Sequence, residues 1–293
     1  MRQVPVLVNV RARGAQPERT AQQIDRALSQ LGLTAQVTLS HGREQGEAWA
    51  RAVAQPDALV LVAGGDGTLS SVLSGLAGSR ARLGIVPLGT GNCLARELGL
   101  PRSLPQAVQV AVLGQARAID LGQVNGRHFA VMAGVGFDAQ VVAQVGGSLK
   151  NLLGPWAYVL QGLALLAQYH PAHLEVELDG ERLELLGWLV VLGNAALYAY
   201  RWRLAKNARI DDGLLDVCLF GARGVGQVVA EMSRVLTGRH LEAPQVCYRR
   251  AAQVRITSRP DLCVQADGEP AGATPLMASI LPGALKVMVP NRG

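Results

Sequence analysis

Short apolar runs and stretches with apolar residues three and four apart take turns along the first part of the chain. Val4–Val10 is apolar enough for a buried strand. Ile24, Ala27, Leu28 and Leu31 form a helical stripe within Pro17–Leu31, and Gly32 ends it. Leu33–Leu39 reads as a strand and Glu44–Ala54 as a helix. Strand Ala58–Ala63, helix Leu69–Leu76, strand Leu83–Val86, helix Leu104–Val112 and strand Ala118–Val124 follow. Alternating strands and helices predict an α/β domain with a parallel sheet covered by helices. A boundary is expected near Asn125–Gly126, giving domains 1–125 and 126–293, with the C-terminal tail free to pack back on the first.

Beyond the boundary the texture changes. Phe129–Ala133, His173–Leu178, Arg182–Val191, Leu214–Phe220, Gln245–Thr257, Leu262–Ala266 and Leu285–Val289 read as strands. Asp179-Gly180 is a hairpin turn. Many strands and few helices predict an antiparallel β-sandwich. One helix, Leu152–Tyr169, is apolar nearly all round, as a core helix or the lining of an acyl-chain pocket would be.

Two glycine-rich turns stand out in the first half. Gly64, Gly65, Asp66, Gly67 and Thr68 follow one strand and open a helix, and Pro87–Asn92 follows the next strand. Strand, glycine turn and helix start together present main-chain N–H groups to phosphate. Asp66 places a carboxylate among those donors, which calls for a cation between it and a phosphate, and so for Mg²⁺. Neither turn is a Walker A loop or a G-x-G-x-x-G fingerprint. In the loop after the first strand, Arg11 or Arg13 can reach a phosphate, or the loop is simply solvated.

Two acidic constellations mark the second half. Asp211-Asp212-Gly213-Leu214-Leu215-Asp216 clusters oxygens before a glycine, which suits a hard cation or an ordinary acidic turn. Gln265-Ala266-Asp267-Gly268-Glu269 follows a strand end and reads as an Asp-Gly turn or a positioned pair of carboxylates. His170 and His173 lack the H-E-x-x-H context and read as surface residues. No G-x-S-x-G frame is present.

The 293 residues are 49% hydrophobic, ample for a core, and the uncharged run Leu185–Tyr200 is too short and glycine-broken for a membrane helix. The N-terminus has no signal-peptide pattern, and the four scattered cysteines fit a reduced cytoplasmic protein. Net charge is +6, carried almost wholly by arginine. That charge suits phosphate or an anionic membrane, and also an arginine-biased genome. The 4% aromatic content argues against base stacking, so no nucleic acid is expected.

GGDGT at 64–68 with PLGTGN at 87–92 resembles the catalytic domain of the diacylglycerol kinase family, which includes bacterial lipid kinases and sphingosine kinases. GGDGT alone is shared with NAD kinases; PLGTGN favours the lipid kinases. The resemblance implies an ATP- and Mg²⁺-dependent lipid kinase whose second domain is a β-sandwich carrying the lipid site. It places ATP on Asn9, Val10, Arg11, Arg13, Gly14, Ser40, Gly64–Ser71 (Gly65, Asp66, Gly67, Thr68, Leu69 and Ser70 between) and Gly89, Thr90, Gly91 and Asn92. It implies Glu269 as the base that takes the lipid hydroxyl's proton, with Asp267 supporting it or exchanging roles. It implies Mg²⁺ near Asp66 and Asp120, and a structural Mg²⁺ on Asp212 with Arg209 and Leu214. Cys93 stands where the family often has a third aspartate, and the 9–14 loop lacks the family's proline and serine. Diacylglycerol leads as acceptor; the other readings are a nucleotide- or lipid-binding pseudokinase and a soluble-metabolite kinase of the NAD kinase type. The lipid substrate implies transient membrane contact, for which Arg201, Trp202, Arg203 and Lys206 are candidates, and a homodimer is allowed.

Overall fold

The structure is a computed structural model that describes residues 2–10, 16–144, 171–198, 202–222 and 224–291. The apolar helix read at 152–169, and Arg11, Arg13, Gly14, His170 and Arg201, lie outside them. The chain divides into two compact units, Met1–Leu121 with Pro282–Gly293, and Gly122–Leu281.

In the first unit, β1 (Arg2–Asn9), α1 (Pro17–Ser29), β2 (Leu33–Ser40), α2 (Arg43–Val53), β3 (Leu59–Gly64), α3 (Asp66–Leu76), β4 (Arg82–Pro87), α4 (Cys93–Glu97) and α5 (Leu104–Leu113) alternate. Parallel pairing sets the strand order β4-β3-β1-β2. The end of the chain's last strand lies parallel to β4, with Lys286 opposite Arg82 and Val287 opposite Leu83. Val6, Val8, Leu61, Ala63 and Val86 pack on Ile24, Leu28 and Val108. Central strands buried on both faces must be apolar throughout, which is why β3 and β4 read as unbroken runs. With side chains pinned on both faces, both glycine turns emerge at the C-terminal ends of neighbouring strands, where ligands bind in such sheets.

After β5 (Gln115–Val124) come β6 (Arg127–Phe129), β7 (Met132–Gly136), α6 (Phe137–Gln144), β8 (Ala172–Leu178), β9 (Glu181–Gly193), β10 (Leu197–Tyr198), β11 (Trp202–Arg203), β12 (Leu215–Gly221) and α7 (Val225–Thr237). The chain closes with β13 (Val246–Ala251), β14 (Gln253–Arg259), β15 (Cys263–Ala266), β16 (Glu269–Ala273) and β17 (Leu276–Val289). β9 is the backbone of the second unit: its first half pairs with β8, and its second half lies between β7 and β12, all antiparallel. β15 joins β7 to β16. Val135, Val190, Leu192, Leu215, Val217 and Ile256 fill its core.

Several elements differ from the sequence reading. The strand expected at 245–257 breaks at Ala252, because Ala252 and Gln253 give their N–H groups to the Asp179 carboxylate, at 2.9 and 2.8 Å. The strand expected at 129–133 breaks at Ala130–Val131 for the same kind of reason, given below. The last strand begins at Leu276, not Leu285. α6 and α7 lie in stretches between the expected strands to which the sequence reading assigned no element. No described helix is long and apolar enough to cross a membrane.

Candidate active site

The first unit folds its two glycine turns against each other. Gly65 and Gly89 touch through their backbones: a Cβ on Gly89 would lie 2.7 Å from the Gly65 Cα. Glycine at Gly89 permits that approach, and a Cβ on Gly65 would crowd the Gly89 Cα at 3.1 Å. Asn92, in the left-handed region at φ 48°, closes the second turn. Its Nδ2 donates to the Gly89 carbonyl at 2.6 Å and its Oδ1 accepts from Gly89 N–H at 3.0 Å. Gly65 caps α3, and Asp66 and Gly67 occupy its first turn, where N–H groups have no partner within the helix. Asp66 accepts the Cys93 N–H at 2.6 Å, and its other oxygen faces Gly91. The contact uses the main chain of Cys93, so it is indifferent to the missing third aspartate. Asn9 Nδ2 donates to Thr68 Oγ1 at 2.7 Å, tying the end of β1 to the GGDGT turn. Ser40 holds the neighbouring strand exit, its hydroxyl donating to the Gly42 carbonyl at 3.0 Å, while Val10 N–H donates to the Ser40 carbonyl at 3.1 Å.

Leu69, Ser70 and Ser71 are buried in α3, and Ser71 Oγ donates to the Thr68 carbonyl at 2.6 Å. They support the turn from behind. Asp120, on β5, is buried and accepts the Gly283 N–H at 2.7 Å, which fastens the returning chain end to this unit.

In the second unit, Asp267-Gly268 makes the two-residue turn between β15 and β16. Both residues have positive φ, 47° and 78°, as a type I′ turn demands, and Ala266 pairs with Glu269 across it. The Asp267 carboxylate accepts three N–H groups, from Ala130 at 2.7 Å, Val131 at 2.9 Å and Met132 at 3.0 Å. Ala130 and Val131 are the residues at which the chain breaks between β6 and β7. Asn194 secures the same segment by donating its Nδ2 to the Ala130 carbonyl at 2.8 Å. Glu269 is half-buried, and its carboxylate has no hydrogen bond or ion pair among the described residues.

Sequence reasoning missed the support beneath this turn. Gln265 Oε1 accepts the Gly268 N–H at 2.8 Å, and Gln265 Nε2 donates to Asp138 Oδ2 at 3.0 Å. Asp138 opens α6 and is buried; its second oxygen has no partner among the described residues. The acid after Gly136-Phe137 was the available signal, on a segment otherwise apolar.

At the other acidic constellation, Asp212 meets the Arg250 guanidinium and Leu214 N–H donates to Asp212 Oδ1 at 3.3 Å. Asp216 is wholly buried, with Arg250 Nε 3.8 Å away and both oxygens lacking hydrogen bonds among the described residues. Burial, offset by Arg250 and reinforced by Asp212, pushes Asp216 up to about 6.

These observations meet those of known proteins. A family described as the diacylglycerol kinase catalytic domain matches residues 3–124. The YegS C-terminal NAD kinase beta sandwich-like domain matches residues 131–289. A diacylglycerol kinase of Bacillus subtilis (strain 168) is 34% identical over 222 residues, which cover 74% of this chain and 73% of that protein. The chain belongs to the diacylglycerol kinase family. A diacylglycerol kinase of Staphylococcus saprophyticus is 31% identical over 83% of this chain and 80% of that one. A solved Bacillus anthracis structure shares the fold, with a TM-score of 0.83 at 23% identity over 98% of this chain and 95% of that one. Membership of the diacylglycerol kinase family makes this chain a phosphotransferase of the alcohol-acceptor class, and it settles the expected pairing of an α/β unit with a β-sandwich-like one.

Two predictions follow from the supporting residues of this kinase fold. Asp267→Ala strands three main-chain N–H groups and is expected to destabilise the fold by about 3 kcal/mol, read as a lower urea midpoint. Asp267→Asn, which keeps an acceptor, is expected to recover part of the loss; equal midpoints for wild type and Asp267→Ala would refute the role. Burial also pushes Asp138 up to about 6 from its usual 3.8, with the Gln265 hydrogen bond opposing the rise. Between those values the native chain keeps a proton that the unfolded chain has released. The stabilisation is full at low pH and is lost as pH rises through 6, an effect of about 3 kcal/mol. Asp216 acts in the same direction. Asp138→Asn is therefore expected to flatten the fall in stability between pH 4 and 6.5 by roughly one proton's worth of slope. An unchanged slope, from urea titrations across that range, would count against it.

Proposed function

We propose that the chain transfers the γ-phosphoryl group of ATP to the hydroxyl of diacylglycerol or a related lipid alcohol, with Mg²⁺. The observation that carries this is the mutual fit of the two glycine turns, with Asp66 fixed between them by the Cys93 amide. The paired turns cradle the phosphates with main-chain N–H groups, and Asn9, Thr68 and Asn92 hold that cradle in shape.

Among the described residues no three His, Cys, Asp or Glu side chains converge on a metal cage. That suits Mg²⁺ at a kinase centre, where one or two carboxylates share the ion with phosphate oxygens and water. Asp66 would hold it, with Asp120 as its outer support; when bound, the ion neutralises phosphate charge. At the second acidic constellation one guanidinium serves two carboxylates, Asp212 and the buried Asp216. The excess negative charge suits a further hard cation held by Asp212 with the Arg209 and Leu214 main chain.

Glu269 accepts the proton of the acceptor hydroxyl as its oxygen bonds to phosphorus. Asp267 positions it rather than exchanging roles, since its oxygens are engaged by main-chain N–H groups. Most of the acceleration comes from positioning and charge stabilisation.

The test is γ-labelled ATP incubated with vesicles containing diacylglycerol, alongside soluble acceptors including NAD. Label in phosphatidic acid supports the proposal. Label in a soluble product favours the NAD kinase type, and ATP binding without any transfer favours a pseudokinase.

A further inference from the structure

α7 carries two apolar stripes, and only one is covered. Val228 and Val235 lie on the inward side with Glu231, whose buried carboxylate is held by Arg234 Nη1 at 2.7 Å. Val225, Val229 and Leu236 are spaced four and seven residues apart and so share one line along the helix. They are 40, 49 and 62% exposed, and the half-buried Met232 completes the line. Three large aliphatic side chains aligned on one helix in water mark a surface that meets something apolar.

What lies beside the stripe says what. The far end of α7 is clamped to the segment that follows β11: Lys206 Nζ donates to the Gly238 carbonyl, and the His240 ring bonds the Leu204 carbonyl at 2.8 Å. β11 itself packs against α7, adding the half-buried Trp202 and the exposed Arg203. Arg239 is exposed just past the helix end. The one acid in α7, Glu231, is buried, and Glu242 is the nearest exposed carboxylate in sequence. Aliphatic residues on a helix, a tryptophan and arginines are the set that seats a helix at a lipid interface: the aliphatic groups enter the acyl boundary and the cations meet anionic head groups.

We propose that α7 and β11 form the membrane-docking face of the chain, with an anionic bilayer as its occupant. The proposal rests on the lipid-kinase reading for its purpose, but not for its test. Vesicles of equal phosphatidylglycerol and phosphatidylcholine are expected to sediment the wild-type protein, and vesicles of phosphatidylcholine alone much less. The double variant Val229→Glu/Leu236→Glu is expected to lower partition into the anionic vesicles by about tenfold or more. Arg203→Glu/Arg239→Glu is expected to do the same, with the wild-type binding weakened by salt. Turnover of diacylglycerol in vesicles then falls with partition, while turnover of a water-dispersed short-chain diacylglycerol stays at the wild-type rate. Unchanged sedimentation of both variants overturns the proposal, as does a wild-type protein that ignores both vesicles. A wild-type dimer that the apolar variant dissolves, with vesicle binding unaltered, gives the face to a second copy and also overturns it. Absence of turnover on either diacylglycerol, with the sedimentation results as expected, refutes the lipid-kinase reading and leaves the docking face standing.

Discussion

Glu269→Gln is expected to lower the rate of phosphoryl transfer to diacylglycerol by about 10²–10⁴-fold while leaving ATP affinity unchanged. The glutamine has the shape of the glutamate but cannot take up the hydroxyl proton. The turn around it should not move, because Asp267 and Gln265 hold that turn from other positions. Among the described residues nothing engages the Glu269 carboxylate, so its lone pairs are available to an incoming hydroxyl. The measurement is steady-state turnover with a parallel ATP titration. Turnover within a few-fold of wild type would remove Glu269 from the chemistry.

Gly89→Val is expected to weaken ATP binding by about 10²-fold, since losing main-chain hydrogen bonds to a charged phosphate, about 1.5–3 kcal/mol each, costs on that order. A Cβ there would meet the Gly65 Cα at 2.7 Å and Asn92 Oδ1 at 2.8 Å. Both neighbours are held in place, one by the start of α3 and the other by its paired bonds to Gly89. The turns must therefore part. Gly42→Ala is the control: a Cβ on Gly42 meets nothing within 4 Å, and its backbone is extended. Calorimetric titration of both variants, with circular dichroism to confirm folding, decides it. Wild-type affinity in a folded Gly89→Val protein would mean that the phosphates lie elsewhere.

The alternating first unit was readable because buried parallel strands announce themselves as apolar runs and their helices as stripes. GGDGT and PLGTGN were readable as turns, and their contact was not, since nothing in the letters says that Gly65 and Gly89 meet. The second unit was harder for one recurring reason. Asp179-Gly180 and Asp267-Gly268 each advertise a hairpin, but not the destination of the aspartate side chain. Each carboxylate takes main-chain N–H groups from a distant segment and breaks a strand there, at Ala252 and at Ala130–Val131. Such breaks are long-range events that apolar periodicity cannot register. α7 escaped for a different reason: an outward Leu236 and an inward Glu231 invert the usual code. Gln265 and Asp138 were visible as letters only; their roles depend on a hydrogen-bond chain that spans much of the second unit's sequence.

The parallel strand beside β4 is drawn from residues that follow the whole second unit in the sequence. During synthesis, then, the first unit leaves the ribosome with β4 lacking that neighbour, and it is completed only after the whole second unit has been made. A chain cut short by a stop codon ahead of Lys286 would present β4 bare to other nascent strands. Such a product should be recovered as aggregate, even though every glycine turn had already been translated.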